Sequence, residues 1–334
     1  MHNFEADARV FAPGSRILAA VSSGADSMAL LWWLRELKFD FVVGHVNHDL
    51  HELRNGDCDR DEKFVHDKCA ELGVPFCSIQ VDLPRKNGHV NELVAREARY
   101  SELARIARAT SCDCVATAHT ADDGLETAIL NLARGGAPGG WLGIAPTRLL
   151  TSKIHLARPF WRTSRAALRQ VLLENGWKWR EDASNLDVKF RRNRVRHEIL
   201  PLLADISGQN SGQIALSHAK NAQIGRDEAN FFERLAAEAL ESLLFKREID
   251  LLTLDGIGFS ALDVALQRRV LRLGARHILP ELRGLEAAKV EATRLYIVSN
   301  GKRAVWTWRS ALRVEWTGAG AGNRVRFWRV FNSN

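Results

Sequence analysis

Cysteine is scarce in this chain, and the five present (Cys58, Cys69, Cys77, Cys112 and Cys114) are an odd number without a C-x-x-C pair. That argues against a disulfide framework and against a zinc or iron–sulfur site, leaving buried free thiols as the reading. No apolar run approaches the ~18 residues that a membrane span requires. The opening MHNFEADARVF carries acidic residues, not a basic start followed by an apolar stretch, so no signal peptide is expected. A cytoplasmic protein with no membrane partner is the expectation. Internal repeats and low-complexity tracts are also missing.

What remains is an ordinary globular composition, 46% hydrophobic and 26% charged over 334 residues, long enough for more than one domain. The net charge is +7, and its excess is concentrated. Between residues 157 and 200 stand 11 Lys+Arg against 5 Asp+Glu. Positive charge gathered in one segment points to a polyanion.

The first part alternates apolar runs of strand length with helical patterns. Strands are expected at 17–21, 41–47, 76–81 and 114–118, and helices at about 27–37, 60–72, 91–109 and 122–134. Such alternation predicts a doubly wound parallel sheet, with a ligand beyond the carboxyl ends of the strands. Three candidate strands run into polar segments that would open on one edge: Ser22–Ser27, Asn47-His48-Asp49 and His119–Asp123. The glycine-rich RGGAPGGWLG (134–143) reads as a loop, a candidate mobile lid. Ser164 is a helix cap, with Asn175-Gly176 as the stop. From 201 to about 244 the pattern is helical, and Asn300-Gly301 between β-rich runs signals a hairpin. Boundaries are placed near 205 and 245.

Three constellations carry chemistry. Ser22-Ser23-Gly24-Ala25-Asp26-Ser27 joins a strand to a helix, where free N–H groups and the helix dipole favour an anion. The lysine of the G-x-x-x-x-G-K-[ST] loop is missing, and a small-residue turn with a capping residue explains the stretch about as well. In His119–Thr127, Thr120 and Asp123 fit a capping box. Asp122, Asp123 and Glu126 crowd like charge onto one helix face, which suits a metal ion or an amine. Third, Arg158, Arg162, Arg165 and Arg169, then Arg191, Arg192, Arg194 and Arg196, lie among Trp177, Trp179 and Phe190. Guanidinium beside aromatic surface suits a structured RNA; a solvated basic face is the plainer alternative.

Together these residues resemble the tRNA(Ile)-lysidine synthetases, a branch of the PP-loop ATP pyrophosphatases. The PP-loop pattern S-G-G-x-D-S stands here as residues 22–27, with Ser23 in place of the first glycine. HVNH (45–48), AREARY (95–100), ATAHTADDGLET (116–127), LARGG (132–136), RPF (158–160), EDASNLD (181–187) and RRNRVRHEILP (191–201) follow in the order of the lysidine branch. Asp49 stands where that branch usually has glycine. The resemblance covers about residues 15–205.

It implies an α/β fold of the adenine nucleotide alpha-hydrolase type over residues 1–205. A helical connector (206–245) and a small α+β, tRNA-contacting region (246–334) would follow. It implies a ligase in which ATP adenylates the wobble cytidine of tRNA(Ile) with anticodon CAU, and free L-lysine then displaces AMP. By the same resemblance, Ser22, Ser23, Gly24, Ala25, Asp26, Ser27, His119 and Arg134 serve ATP, with Mg²⁺ on Asp26. Asp123, Glu126, Asn193 and Arg192 serve lysine, and Arg96, Arg191, Arg194 and Arg196 serve tRNA. Asp26, Asp123, Glu126 and His119 are the catalytic set. A PP-loop tRNA thiolase and a tRNA-binding protein with a degenerate loop are the alternatives.

Overall fold

The computed structural model describes residues 4–48, 57–81, 85–86, 89–90, 92–136, 139–181, 190–282, 284–318 and 322–331. Asp49 and residues 182–187 of EDASNLD fall outside them. Two compact units emerge, Met1–Gln223 and Ile224–Asn334.

In the first unit the chain runs β1 (Ile17–Ala20), α1 (Ala25–Glu36), β2 (Phe41–His48), α2 (Asp57–Leu72) and β3 (Phe76–Val81). A two-stranded ribbon, β4 (Arg85–Lys86) with β5 (His89–Val90), precedes α3 (Glu92–Ala109), β6 (Cys114–Ala116) and α4 (Ala121–Ala133). Then come β7 (Thr147–Leu149), β8 (His155–Ala157) and α5 (Arg165–Glu174). The main sheet has the order β3-β2-β1-β6-β8-β7, parallel except for β7.

The strands β1, β6 and β8 are apolar because both faces of the sheet are covered, as parallel sheets require. Side-chain alternation feeds two cores. Ile17, Ala19, Val43, Cys114, Ala116 and Ala157 pack on one side with Met28, Leu31 and Leu34 of α1. Leu18, Val42, Val115 and Leu156 pack on the other with Tyr100, Leu103 and Ala107 of α3. The doubly wound sheet is therefore as the alternation predicts. Strand order reverses at β1, with β2 on one side and β6 on the other, and that crevice is where such sheets bind ligands.

The edge pair β7–β8 is absent from the sequence-based expectation, which ends its strands at 118. The glycine-rich loop differs too. Asn131 Nδ2 donates to the Gly140 carbonyl at 3.0 Å. Gly143, at φ 66°, lies so close to α4 that a β-carbon there would overlap the Gly124 carbonyl. Gly136, Gly140 and Gly143 thus serve close packing on α4, while Gly135 and Gly139 have open space around them.

After α5, a turn of helix α6 (Arg191–Arg194) continues through a π-helical turn (Val195–Ile199) into α7 (Leu200–Ser207). Helix α8 (Ser211–Ser242) contains the point at which the units divide.

The second unit holds β9 (Leu244–Arg247), β10 (Leu251–Asp255), α9 (Gly256–Ala261), α10 (Val264–Ile278), α11 (Ala287–Val298), β11 (Ala304–Arg309), β12 (Leu312–Trp316) and β13 (Arg324–Arg329). Its antiparallel sheet, ordered β11-β12-β13-β10-β9, packs Trp308, Trp316 and Phe327 among Val270, Leu271 and Ile297 from the helices. The hairpin expected at Asn300-Gly301 is not there. Leu295–Val298 ends α11, and Asn300 is a left-handed residue (φ 53°) leading toward β11. An apolar run of LYIV type fits a buried helix as well as a strand, which is why the pattern misleads. The tight hairpin joins β11 to β12 instead. No helix among the described residues is long and apolar enough to cross a membrane.

Candidate active site at the switch point

The exits of β1, β6 and β8 meet in the crevice. The β1 exit is the 22–27 loop. Gly24 caps α1 with φ −74° and ψ 156°. The first bond inside the helix runs from the Met28 N–H to the Gly24 carbonyl at 3.0 Å, so the N–H groups of residues 25–27 precede the helical ladder and suit an anion. The loop is held from within. Ser27 Oγ accepts from the Ser22 N–H at 3.1 Å and donates to the Gly24 carbonyl at 2.9 Å, while the Ser22 and Ser27 hydroxyls lie 3.0 Å apart. Ser27 thus shapes the loop. Ser23, buried, turns away from it and donates to Asp61 on α2 at 2.7 Å.

The β6 exit begins α4. Thr120 Oγ1 accepts from the Asp123 N–H at 3.3 Å, and Asp123 Oδ2 accepts from the Thr120 N–H at 2.8 Å. This is the capping box that the sequence predicts. The same carboxylate has a second role, because Asp123 Oδ1 lies 3.1 Å from Arg165 Nη2.

Arg165, the first residue of α5 beyond β8, is the centre of the site. Ser164 caps this helix as expected, accepting from the Ala167 N–H at 3.3 Å. The guanidinium also reaches Asp26 Oδ2 at 3.3 Å and Glu126 Oε1 at 3.3 Å, and the Arg165 N–H donates to Asp122 Oδ2 at 2.8 Å. Glu126 is fully buried and meets Arg192 Nε at 2.8 Å and Arg196 Nε at 2.9 Å. Arg192 also donates to Thr127 Oγ1 at 3.1 Å. The crowded carboxylates that the sequence suggests for a metal or an amine are thus met first by the protein's own guanidiniums.

The balance is incomplete. Among the described residues in direct contact, the four carboxylates of Asp26, Asp122, Asp123 and Glu126 outnumber by one the three guanidiniums of Arg165, Arg192 and Arg196. Burial pushes the Asp26 carboxyl up to about 6, with Asp123 adding and Arg165 opposing. Burial also raises Asp122. Asp123 behaves oppositely: burial would raise it, but Arg165 and Arg192 hold it well below the carboxylate range. Burial would lower Arg165, but the carboxylates around it hold it above its ordinary value.

Asp26 Oδ1 is buried and has no hydrogen-bond partner. That orphaned oxygen, next to excess negative charge, fits a cation such as Mg²⁺. Among the described residues no cluster of three or more His, Cys, Asp or Glu could hold a metal ion alone. One carboxylate completed by phosphate oxygens is the usual magnesium arrangement.

His119 lies just before α4, with Nδ1 2.9 Å from Thr117 Oγ1. Burial pushes it down to about 3, and Arg158, Arg96 and Arg192 oppose its charging further, so it is a neutral imidazole at physiological pH. Asn193 is buried on α6 beside Arg192. Arg134 is not brought to the crevice. It caps the far end of α4, about 12 Å along the helix axis from Glu126 and about 18 Å from Asp122.

The basic stretch divides. Arg158 is buried and donates to the Ala145 carbonyl at 2.6 Å. Arg162 stacks on Trp161, its guanidinium carbon 4.4 Å from the ring centroid. Arg169 meets Glu181. Arg191 and Arg194 are exposed, Arg194 pairing with Glu198 at 2.8 Å, while Arg192 and Arg196 turn inward to Glu126. Arg96 lies over Tyr100 at 5.1 Å. The eight arginines are therefore not one continuous RNA-facing surface. Asp61 and Arg180 are site residues that sequence reasoning passes over, and Arg165, read there as part of the RNA-facing stretch, turns inward to the carboxylates. The signal for Arg165 was the Ser164 cap, which places it at a helix start.

Comparison with known proteins agrees with this fold. A PP-loop domain family model matches residues 2–203. A tRNA(Ile)-lysidine synthase of Geobacter sulfurreducens is 36% identical over 71% of this chain and 50% of its own length. That of Solibacter usitatus is 33% identical over 84% of this chain and 61% of its own length. The chain spans about half the length of such relatives. A U34-tRNA thiolase structure from Methanococcus maripaludis shares the fold, with TM-score 0.50 and 16% identity over 66% of this chain and 75% of that one.

Proposed function

This chain belongs to the PP-loop family, and we propose that it uses ATP to join L-lysine to C2 of the wobble cytidine in an isoleucine tRNA with anticodon CAU, releasing AMP and pyrophosphate. The observation that carries the reading is the crevice itself. A helix start whose first N–H groups lie ahead of the helical ladder faces a carboxylate cluster that outnumbers its guanidiniums, with an unpartnered buried oxygen on Asp26.

Attack of the cytidine O2 on the α-phosphorus expels pyrophosphate, and the 25–27 N–H groups stabilise the charge that develops there. Mg²⁺, held by Asp26, would supply further positive charge at the phosphates. The ε-amine of lysine then attacks C2 and AMP leaves. Lysine arrives as an ammonium and must shed a proton, so the residual negative charge of the cluster favours its capture. Asp123 and Asp26 are the carboxylates nearer solvent, with side chains 13% and 28% exposed. Glu126, fully buried, holds Arg192 and Arg196 in place and serves lysine indirectly. The exposed Arg191 and Arg194 would meet tRNA phosphates. A thiolase reading draws no support from the thiols: burial pushes Cys69 and Cys114 up to about 12, where thiolate chemistry is suppressed.

The test is incubation with ATP, Mg²⁺, a CAU-anticodon tRNA(Ile) transcript and labelled lysine. Lysine incorporated with stoichiometric AMP supports the reading. AMP release that depends on a sulfur donor, or tRNA retention without AMP, overturns it.

A further inference from the structure

Ser23 stands where PP-loop proteins carry glycine, and its side chain has a definite destination. It is 5% exposed. Its hydroxyl donates to Asp61 Oδ1 at 2.7 Å, and Arg180 Nε donates to the same oxygen at 2.7 Å. The Arg180 N–H in turn donates to the Ser23 carbonyl at 2.9 Å. The contacts close a ring: hydroxyl, carboxylate, guanidinium, backbone and back to the carbonyl of the same serine.

We infer that Asp61 and Ser23 are positioning residues for the nucleotide loop, and that Arg180 completes a brace which aims its N–H groups. This rests on the ATP reading of the 22–27 loop. A peptide unit is planar and trans, so its C=O and N–H point in opposite directions. Arg180 holds the Ser23 carbonyl, so the Gly24 N–H of the same unit is turned the other way, away from Arg180. The Ser23 hydroxyl ties the side chain of the same residue to α2. With both groups anchored, the peptide plane that follows residue 23 cannot rotate freely. Glycine would leave that rotation to the backbone alone. Charge strengthens the anchor, since Asp61 accepts one of its hydrogen bonds from a guanidinium.

The brace also joins distant segments. Asp61 lies on α2, and Arg180 precedes Glu181, which holds Arg169 and accepts from Trp179 Nε1 at 2.9 Å. The nucleotide loop and the chain leaving α5 are thereby coupled through one carboxylate.

The experiment is a double-mutant cycle on the full chain, read as the Kd for ATP with Mg²⁺ by calorimetry, with a thermal melt of each variant. Ser23→Ala and Asp61→Ala are each expected to weaken ATP by about threefold to tenfold, the size of one lost hydrogen bond. The double variant should be no weaker than the worse single, because both remove the same link. Asp61→Asn keeps an acceptor oxygen for Ser23 and should recover part of the loss, a rescue that a melt alone would not reveal. Single variants with wild-type affinity, losses that multiply in the double variant, or no recovery in Asp61→Asn overturn the brace. Wild-type protein that binds no ATP overturns the brace and the ATP reading together, so the two failures are distinguishable.

Discussion

Arg165 Nε lies 3.3 Å from Asp26 Oδ2, an ion pair between the first turns of two helices separated by 139 residues. It joins the β1 exit to the β8 exit, and through Asp123 and Glu126 to the β6 exit. Replacing Arg165 by Met would leave the carboxylates facing one another with less counter-charge. Removing one partner of a buried pair typically costs ~3–5 kcal/mol; here the arginine is partly exposed, so about 2–4 is expected. Denaturant melts at pH 8 check this, and millimolar Mg²⁺ should recover more stability in the variant than in the wild type.

Glu126 makes the complementary case. Asp122–Glu126 crowding in the sequence suggested an amine site, and lysine selection by Glu126 was the natural expectation. Three guanidiniums on a fully buried carboxylate change it. Glu126→Gln removes their shared anion, so the loss should appear in stability and in ATP and lysine requirements alike. A rise confined to the KM for lysine would instead place the lysine ammonium on Glu126 itself.

The parallel sheet, the 22–27 loop and the capping box at Thr120 were legible because each is local: a strand run, a hydroxyl-rich turn, two side chains three residues apart. The carboxylates were legible as a crowd. Their partners were not, because the pairing of Arg165 with Asp26 spans 139 residues and is made only by the folded sheet. The same blindness made eight arginines look like one surface. Density of charge in sequence does not say which guanidiniums face inward, and Arg158 and Arg196 do. At Asn300-Gly301 the turn signal is genuine, but its flanks mislead, since a buried helix end and a strand share the same apolar letters.

Separation of inward from outward arginines gives a salt-dependence prediction. On the tRNA reading, Arg191→Ala and Arg194→Ala should each reduce the slope of log affinity against log salt by ~0.7–0.9, with little change in the melting curve. Arg192→Ala and Arg196→Ala should instead lower stability, because they uncover Glu126. Filter binding at a series of salt concentrations, beside melts, checks both halves.

Asp26 gives a pH signature. Its carboxyl is raised from 3.8 to about 6 in the nucleotide-free fold, so the folded state keeps a proton that the unfolded chain releases. The contribution is therefore fully present below pH 3.8 and is lost as pH rises through about 6. Stability of the wild type minus that of Asp26→Asn should fall across this window. Mg²⁺-dependent ATP binding should run the other way, strengthening as pH rises through about 6, since the ion requires the ionised carboxylate. Asp26→Asn should abolish that dependence and AMP formation while sparing tRNA binding.

The loop itself supplies the last test. A methyl group at residue 24 has two ways to do harm, by straining the turn or by entering the phosphate space. The first cause is removed by the structure: Gly24 has φ −74°, where any residue is at ease. A β-carbon there would meet only Ser22 Oγ, at an ordinary 3.7 Å. Gly24→Ala should therefore cost at most ~1 kcal/mol of stability, the scale of a weakened helix cap. What remains is the ligand. The Gly24 N–H is the donor that the brace through Ser23 aims, and a methyl beside it would keep a phosphate from closing on the helix start. The Kd for ATP should rise at least tenfold, ~1.4 kcal/mol, while Ser23→Gly, which removes the hydroxyl's link to Asp61 but adds no atoms, should shift the rate by less than that. A Gly24→Ala variant that binds ATP as tightly as the wild type would move the phosphate site away from this loop.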